Sequence, residues 1–136
     1  MSNIVRLQHA SIPMPPGGND RAREFYGSRL GLKEKSVPGS LDEAKIIWFD
    51  LGSDGAELHL FTEDGDGPSP GQHVCIQVDD IDAWRKLLSG KGIAIEETEA
   101  IVNRPRFFTQ DPFGNRLEIT QVLGDYNAPP VEIAAQ

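Results

Sequence analysis

The chain carries one pattern twice, and such a duplication restricts the possible folds more sharply than any composition does. The first copy runs Gln8-His9-Ala10-Ser11-Ile12, a helical stretch closing at Leu30-Gly31-Leu32, then Trp48-Phe49, then Glu57-Leu58-His59-Leu60. The second runs Gln72-His73-Val74-Cys75-Ile76, a helical stretch closing near Gly92-Ile93, then Phe107-Phe108, then Arg116-Leu117-Glu118-Ile119. Phe49 to His59 and Phe108 to Glu118 are both 10 residues apart. His9 to Gly31 is 22 residues against 19 from His73 to Gly92, a difference that the additional Pro15-Pro16-Gly17-Gly18 absorbs. The repeat pairs His9 with His73 and His59 with Glu118, so all 3 histidines occupy related places.

Two modules follow, residues 1–63 and 72–123, joined by the Gly- and Pro-rich linker 64–71 and followed by a tail over 124–136 that reads as an extended arm or disorder. Modules of about 60 residues are marginal alone and are expected to share one structural domain. Each reads as strand, helix, then three strands. Residues 4–12 alternate as a strand, Pro13 to Gly18 breaks regular structure, and Asn19 or Asp20 caps a helix with Ala22, Phe25, Tyr26 and Leu30 on one face. Strand-like runs follow at 33–37, 44–51 and 57–63. In the second module Asp79 or Asp80 caps a helix whose buried face is Ile81, Trp84 and Leu88, before runs at 94–99, 106–110 and 116–122. Asp111-Pro-Phe-Gly-Asn115 reads as a hairpin turn. The expected fold is α+β: two tandem βαβββ modules forming a curved, partly closed mixed sheet around a cleft, with helices on the outer face.

Strand alternation sorts the side chains into two faces. Ala10, Ile12, Leu58, Leu60, Val74, Ile76, Val78, Leu117 and Ile119 form an apolar set to be covered by the helices. The opposite set holds His9, Ser11, Glu57, His59, Phe61, His73, Cys75, Gln77, Arg116, Glu118 and Thr120, and thus every candidate ligand. Imidazole and carboxylate without thiolate suit Fe, Mn, Co, Ni or Zn as a divalent ion. His9, His73 and Glu118 supply two imidazoles and one carboxylate, an arrangement that leaves positions open for substrate. His59 either completes a four-ligand site or stands beside the ion as a base.

The charge balance argues about partners. With 13 basic against 21 acidic residues, a net −8, and no Lys/Arg run, nucleic acid is excluded as an expected partner. One cysteine gives no disulfide framework, and no apolar run is long enough for a membrane span, so a cytoplasmic protein with no membrane partner is expected.

The order of strand histidine, helix ending Leu-Gly-Leu, Glu-Leu-His-Leu-Phe, His-Val-x-Ile-x-Val-Asp-Asp and Asp-Pro-Phe-Gly-Asn-Arg-Leu-Glu resembles the vicinal oxygen chelate superfamily. This is the group of glyoxalases, bleomycin-resistance proteins and extradiol dioxygenases, and the resemblance covers about residues 4–123. It implies a divalent metal held by His9, His73 and Glu118, whose glutamate closes the most specific motif, together with the fourth-strand position. That position is glutamate in glyoxalase I and His59 here, with Glu57 a less well aligned substitute on the same face. The candidate catalytic groups are therefore His59, Glu57 and Glu118. The implied chemistry is chelation of a small oxygen-rich substrate, followed by lyase- or isomerase-type proton transfer or by dioxygenation. A metal-free binding module of the bleomycin-resistance kind, and an accessory subunit with a vestigial cleft, are the rival readings. The resemblance also implies a homodimer, built side by side or by exchange of modules.

Further residues complete the expected site. Arg116 holds a substrate carboxylate or pairs with Glu57, its repeat partner. Arg104 and Arg106 guard the cleft mouth or are simply solvated. Phe61, Gln77 and Ser11 face the substrate or orient other groups. Within Trp48-Phe49 and Phe107-Phe108 one ring of each pair faces the cleft and the other the helices. Cys75 is expected to be inert packing, and Asp64-Gly-Asp-Gly67 a linker and not a calcium loop.

Overall fold

The computed structural model describes residues 1–132, so the last four residues of the expected tail lie outside the described residues. The architecture is α+β with two mixed sheets, of four and three strands. The chain divides into two compact units: Met1–Pro70 together with Asp111–Asn115, and Gly71–Gln110 together with the chain from Arg116 onward.

In the first unit, β1 (His9–Met14) leads into α1 (Asn19–Ala22), which continues as a π-helical stretch over Arg23–Arg29. Then follow β2 (Glu34–Lys35), β3 (Ile46–Leu51) and β4 (Ala56–Thr62), in the sheet order β1-β4-β3-β2 with β1 parallel to β4. Contrary to expectation, the first strand does not stop at Pro13 but runs on to Met14. An edge strand has one unpaired side, and there proline's missing N–H costs no ladder bond. The helix starts one residue earlier than predicted. Gly18 is its cap and offers no side-chain bond, while Asn19 is already helical and its amide donates to the carbonyls of Glu43 and Ile46. Position 18 favours glycine, since a Cβ there would sit tightly, 3.0 Å from the Pro15 carbonyl oxygen and 3.2 Å from the Phe113 ring.

Wider π-helical turns carry Phe25 and Tyr26 onto the sheet, and Gly31, at φ +79°, lets Leu32 N–H reach back to Tyr26 C=O and close the helix. The predicted face of Ala22, Phe25, Tyr26 and Leu30 is buried, as are Ile47, Phe49, Leu58 and Leu60 of the sheet in the same unit, and the Tyr26 and Phe49 rings lie 5.7 Å apart. At its base, Tyr26 Oη donates to Asp111 Oδ2 at 2.6 Å. The same carboxylate accepts from Asn115 Nδ2 and from the amides of Phe113 and Asn115, at 2.8 to 2.9 Å, so both oxygens are saturated. Asn115 Nδ2 also donates to Pro13 C=O, tying this turn to β1.

Burial, with Asp111 beside it, holds the Tyr26 hydroxyl well above its ordinary pKa. Above about pH 10 the unfolded chain loses this proton while the folded protein keeps it, so stability falls as pH rises. The expected slope from this one group is about 1.4 kcal/mol per pH unit. Urea unfolding at about pH 9 and about pH 11 should therefore show a smaller alkaline loss for Tyr26→Phe than for wild type. Equal losses in the two proteins would contradict the coupling.

The second unit holds β5 (His73–Gln77), α2 (Ile81–Gly90), β6 (Arg106–Gln110) and β7 (Arg116–Thr120), in the order β5-β7-β6 with β5 parallel to β7. Asp80 caps α2 as read, accepting from Ala83 N–H. Ile81 and Leu88 are buried, and Trp84 is half-buried. The strand expected at 94–99 shrinks to one bridge, Glu96 with Phe108. Three glutamates in this segment disfavour a pleated, half-buried surface. The described part of the tail lacks regular structure and is held by hydrogen bonds to its own unit. Buried Asn103 donates to the carbonyls of Asp125 and Pro129 and accepts from Val131 N–H, while Arg104 lies over Tyr126. Among the described residues no helix is long and apolar enough to cross a membrane.

Candidate active site

Register brings the first unit's polar groups together. Along the sheet His9 pairs with Glu57, Ser11 with His59, and Trp48 with His59, which sets these side chains on the face away from α1. His9 and Trp48 sandwich His59, each with ring centroids 4.1 Å from it. His59 Nε2 lies 2.8 Å from Glu57 Oε1, and Lys35 Nζ lies 2.5 Å from Glu57 Oε2 and 3.4 Å from Asp50. The hydrogen bond from Lys35, with that from His59, pulls the Glu57 carboxyl down to about 2. Burial lowers the His59 pKa against the opposing pull of Glu57, which favours a neutral imidazole beside a charged carboxylate. Gln8 Oε1 sits 2.5 Å from His9 Nδ1 and, as an acceptor, fixes the proton there and leaves Nε2 with its lone pair.

The second unit builds its half from β5, β6 and β7. Glu118 is buried, and its two oxygens are used separately: Arg106 Nη1 donates to Oε1 at 3.2 Å, and His73 Nε2 lies 3.1 Å from Oε2. His73 Nδ1 is 3.1 Å from Gly71 C=O. A carbonyl only accepts, so it claims the ring N–H at Nδ1 and turns the Nε2 lone pair toward a carboxylate oxygen. Two acceptors do not face each other at this distance without a positive charge between them, which is either a shared proton or a metal ion held by both atoms. The donor chemistry of this pair therefore fits a metal. Among the described residues no hydrogen bond is made at His9 Nε2, which leaves its lone pair as a further donor atom. No group of three or more His, Cys, Asp or Glu side chains among the described residues is placed to hold a metal ion.

Several expected contacts are placed differently. Within its own unit Arg116 stacks on Phe108 at 3.6 Å and pairs with Glu96 at 3.5 Å, and Glu57 in its unit is met by Lys35 and His59. Arg106 is not simply solvated: it lies within β6, bound to Glu118 and to Glu99 C=O. Arg104 donates to the carbonyls of Asn103 and Gly124, which spends it on the tail. The aromatic pairs divide as read. Trp48 and Phe108 flank the histidines, whereas Phe49 packs near Tyr26 and Phe107 under Arg85 of α2. Ser11 and Gln77 are exposed and Phe61 half-buried on the ligand faces. Cys75 is exposed and so is not the packing residue expected; partial desolvation beside its neighbours and the adjacent Glu118 push its thiol up to about 11, which keeps it protonated near neutrality.

Residues 6–119 match the Glyoxalase/Bleomycin resistance protein/Dioxygenase superfamily. The chain belongs to that superfamily. Methylmalonyl-CoA epimerase, mitochondrial, from Bos taurus is 33% identical over 110 residues, covering 72% of this chain and 61% of the relative. The chain thus spans less than two thirds of that enzyme. A solved glyoxalase family protein from Bacillus anthracis is 30% identical, with a TM-score of 0.82 over 90% of this chain and 99% of its own. An antibiotic binding protein from Streptomyces sp. CB03234 shares the fold at 20% identity, with a TM-score of 0.72 over 90% of this chain and 99% of its own.

Sequence reasoning had missed one member of this glyoxalase-fold site, Lys35. Its only signal was a charged residue inside a short run read as a strand. What places it beside Glu57 is the pairing of β2 with β3, Lys35 opposite Trp48, and no spacing in the chain reveals that register.

Proposed function

We propose that this protein is a metal-dependent enzyme that moves a proton at a carbon next to a carbonyl, an isomerase-type reaction on a small acyl substrate. The observation that carries the reading is the His73 Nε2 to Glu118 Oε2 approach of 3.1 Å, two donor atoms set for one cation. His9, His73 and Glu118 would hold a divalent ion such as Mn, Co, Fe, Ni or Zn, within one chain or between two copies of a homodimer. When bound, the ion supplies Lewis acidity to adjacent substrate oxygens.

The chain's own residues supply the rest. His59, kept neutral by burial, is the base that takes the proton. Glu57 is unsuited to that role, because Lys35 and His59 hold its carboxylate charged and weakly basic. The rings of Trp48 and Phe108 give apolar walls, and Arg116, resting on Phe108, is placed to meet a substrate carboxylate. The epimerase likeness supports a proton transfer over an oxygenation, and an acyl thioester as the first substrate to try.

The test is deuterium incorporation into methylmalonyl-CoA in heavy water. The protein is purified without a histidine tag, stripped of metal, and reconstituted with Mn or Co. Exchange that needs the ion and is lost in His59→Asn is the expected result. Tight metal binding with no exchange would remove the proton-transfer reading, and failure to bind any first-row ion would remove the metal as well.

A further inference from the structure

The three histidines are not alike in what holds them. The bonds to Gln8 and Gly71 are made at Nδ1 of His9 and His73, but Glu57 is met by Nε2 of His59. A charged carboxylate accepts and never donates, so the His59 ring must carry its proton on Nε2. Among the described residues the His59 ring makes its hydrogen bond at Nε2, and none is made at Nδ1. The carboxylate is itself fastened from the other side. Lys35 Nζ, 2.5 Å away and braced by Asp50, fixes the position of Glu57, whose side chain is 11% exposed. The sandwich of His9 and Trp48 prevents the ring from turning out of plane.

We infer that Lys35 is a positioning residue: acting through Glu57, it locks His59 in the Nε2–H tautomer and makes Nδ1 the atom that accepts the substrate proton. The assignment rests on the proposed role of His59 as base and adds to it the reacting atom and the residue that selects it. Lys35 touches no reacting group. Its effect reaches the site as orientation, in the way that a carboxylate behind an imidazole commonly acts.

With only 3 histidines in the chain, long-range proton–nitrogen correlation spectra of the metal-free, nitrogen-15-labelled protein resolve every ring. Spectra are recorded on the alkaline side of neutrality, where neutral rings are seen, and His59→Asn identifies the His59 signals. The expected wild-type spectrum gives His59 a pyridine-type Nδ1 and a pyrrole-type Nε2. Glu57→Gln replaces an obligate acceptor by an amide that also donates, and should bring the two tautomers to comparable populations. Lys35→Met should move the spectrum the same way, and Lys35→Arg should restore it. In the reconstituted enzyme, Lys35→Met should lower the exchange rate at saturating substrate about tenfold, with KM nearly unchanged. A pyrrole-type Nδ1 on His59 in wild type, or a His59 spectrum indifferent to both Lys35→Met and Glu57→Gln, would overturn the inference. Because the spectra are taken before metal or substrate is added, absence of catalysis leaves this result standing. A wrong tautomer beside active catalysis would sink only the inference.

Discussion

Glu118→Gln is expected to weaken binding of Mn or Co more than about 100-fold, since even groups behind a metal ligand are commonly worth 10–100-fold. The amide keeps the size and one acceptor but loses the negative charge that faces the His73 lone pair and neutralises Arg106. Titration of tag-free, metal-stripped protein, followed by calorimetry or by quenching of Trp48, measures the change. His73→Ala should act comparably. Arg116→Met should leave metal affinity within about threefold, because among the described residues Arg116 stacks on Phe108 and pairs with exposed Glu96 and makes no ion pair with Glu118. Wild-type affinity in Glu118→Gln would strike this residue from the ligand set. A parallel fall in Arg116→Met would mean that the effect is one of general distortion.

Asp111→Ala should be the most destabilising single change in the first unit, by about 4 kcal/mol. Four donors lose their acceptor at once: the Tyr26 hydroxyl, the Asn115 amide side chain, and two backbone N–H groups of the turn. Tyr26 and Asn115 are buried, so water does not easily replace what is lost. For a chain of this length that cost lowers the melting temperature by about 12 °C. Tyr26→Phe should cost only about 1.5 kcal/mol, because the carboxylate keeps three donors and no buried group is stranded. A denaturant series comparing the two variants tests the ordering, and an Asp111→Ala protein as stable as Tyr26→Phe would refute it.

That same turn shows how far a reading of the chain reaches. Asp111 to Asn115 was legible as a hairpin turn, and Gly114 does take a positive φ of 87°. What could not be seen was that this piece of the second repeat is packed into the first unit, with Asp111 as the acceptor for a tyrosine 85 positions earlier. The site divides in the same manner. Period-two alternation put His9, Glu57, His59, His73 and Glu118 in one set, opposite the residues covered by the helices, because side-chain direction along a strand is a local property. Lys35 was missed, and Glu96 and Glu118 as partners of Arg116 and Arg106 were not foreseen, because a long cation reaches whichever acceptor the neighbouring strand presents.

Repetition, spacing and alternation in the chain thus determined the α+β architecture, the superfamily and the residues eligible as ligands, all of which depend on local periodicity and on motif order. Strand pairing decided the rest: that Lys35 lies beside Glu57, that Nε2 of His59 is occupied while Nε2 of His73 meets Glu118, and that Asn103 secures the tail. Hydrogen bonds and ion pairs act over a few ångströms between groups distant in sequence, so their partners exist only once register and packing have brought them within reach.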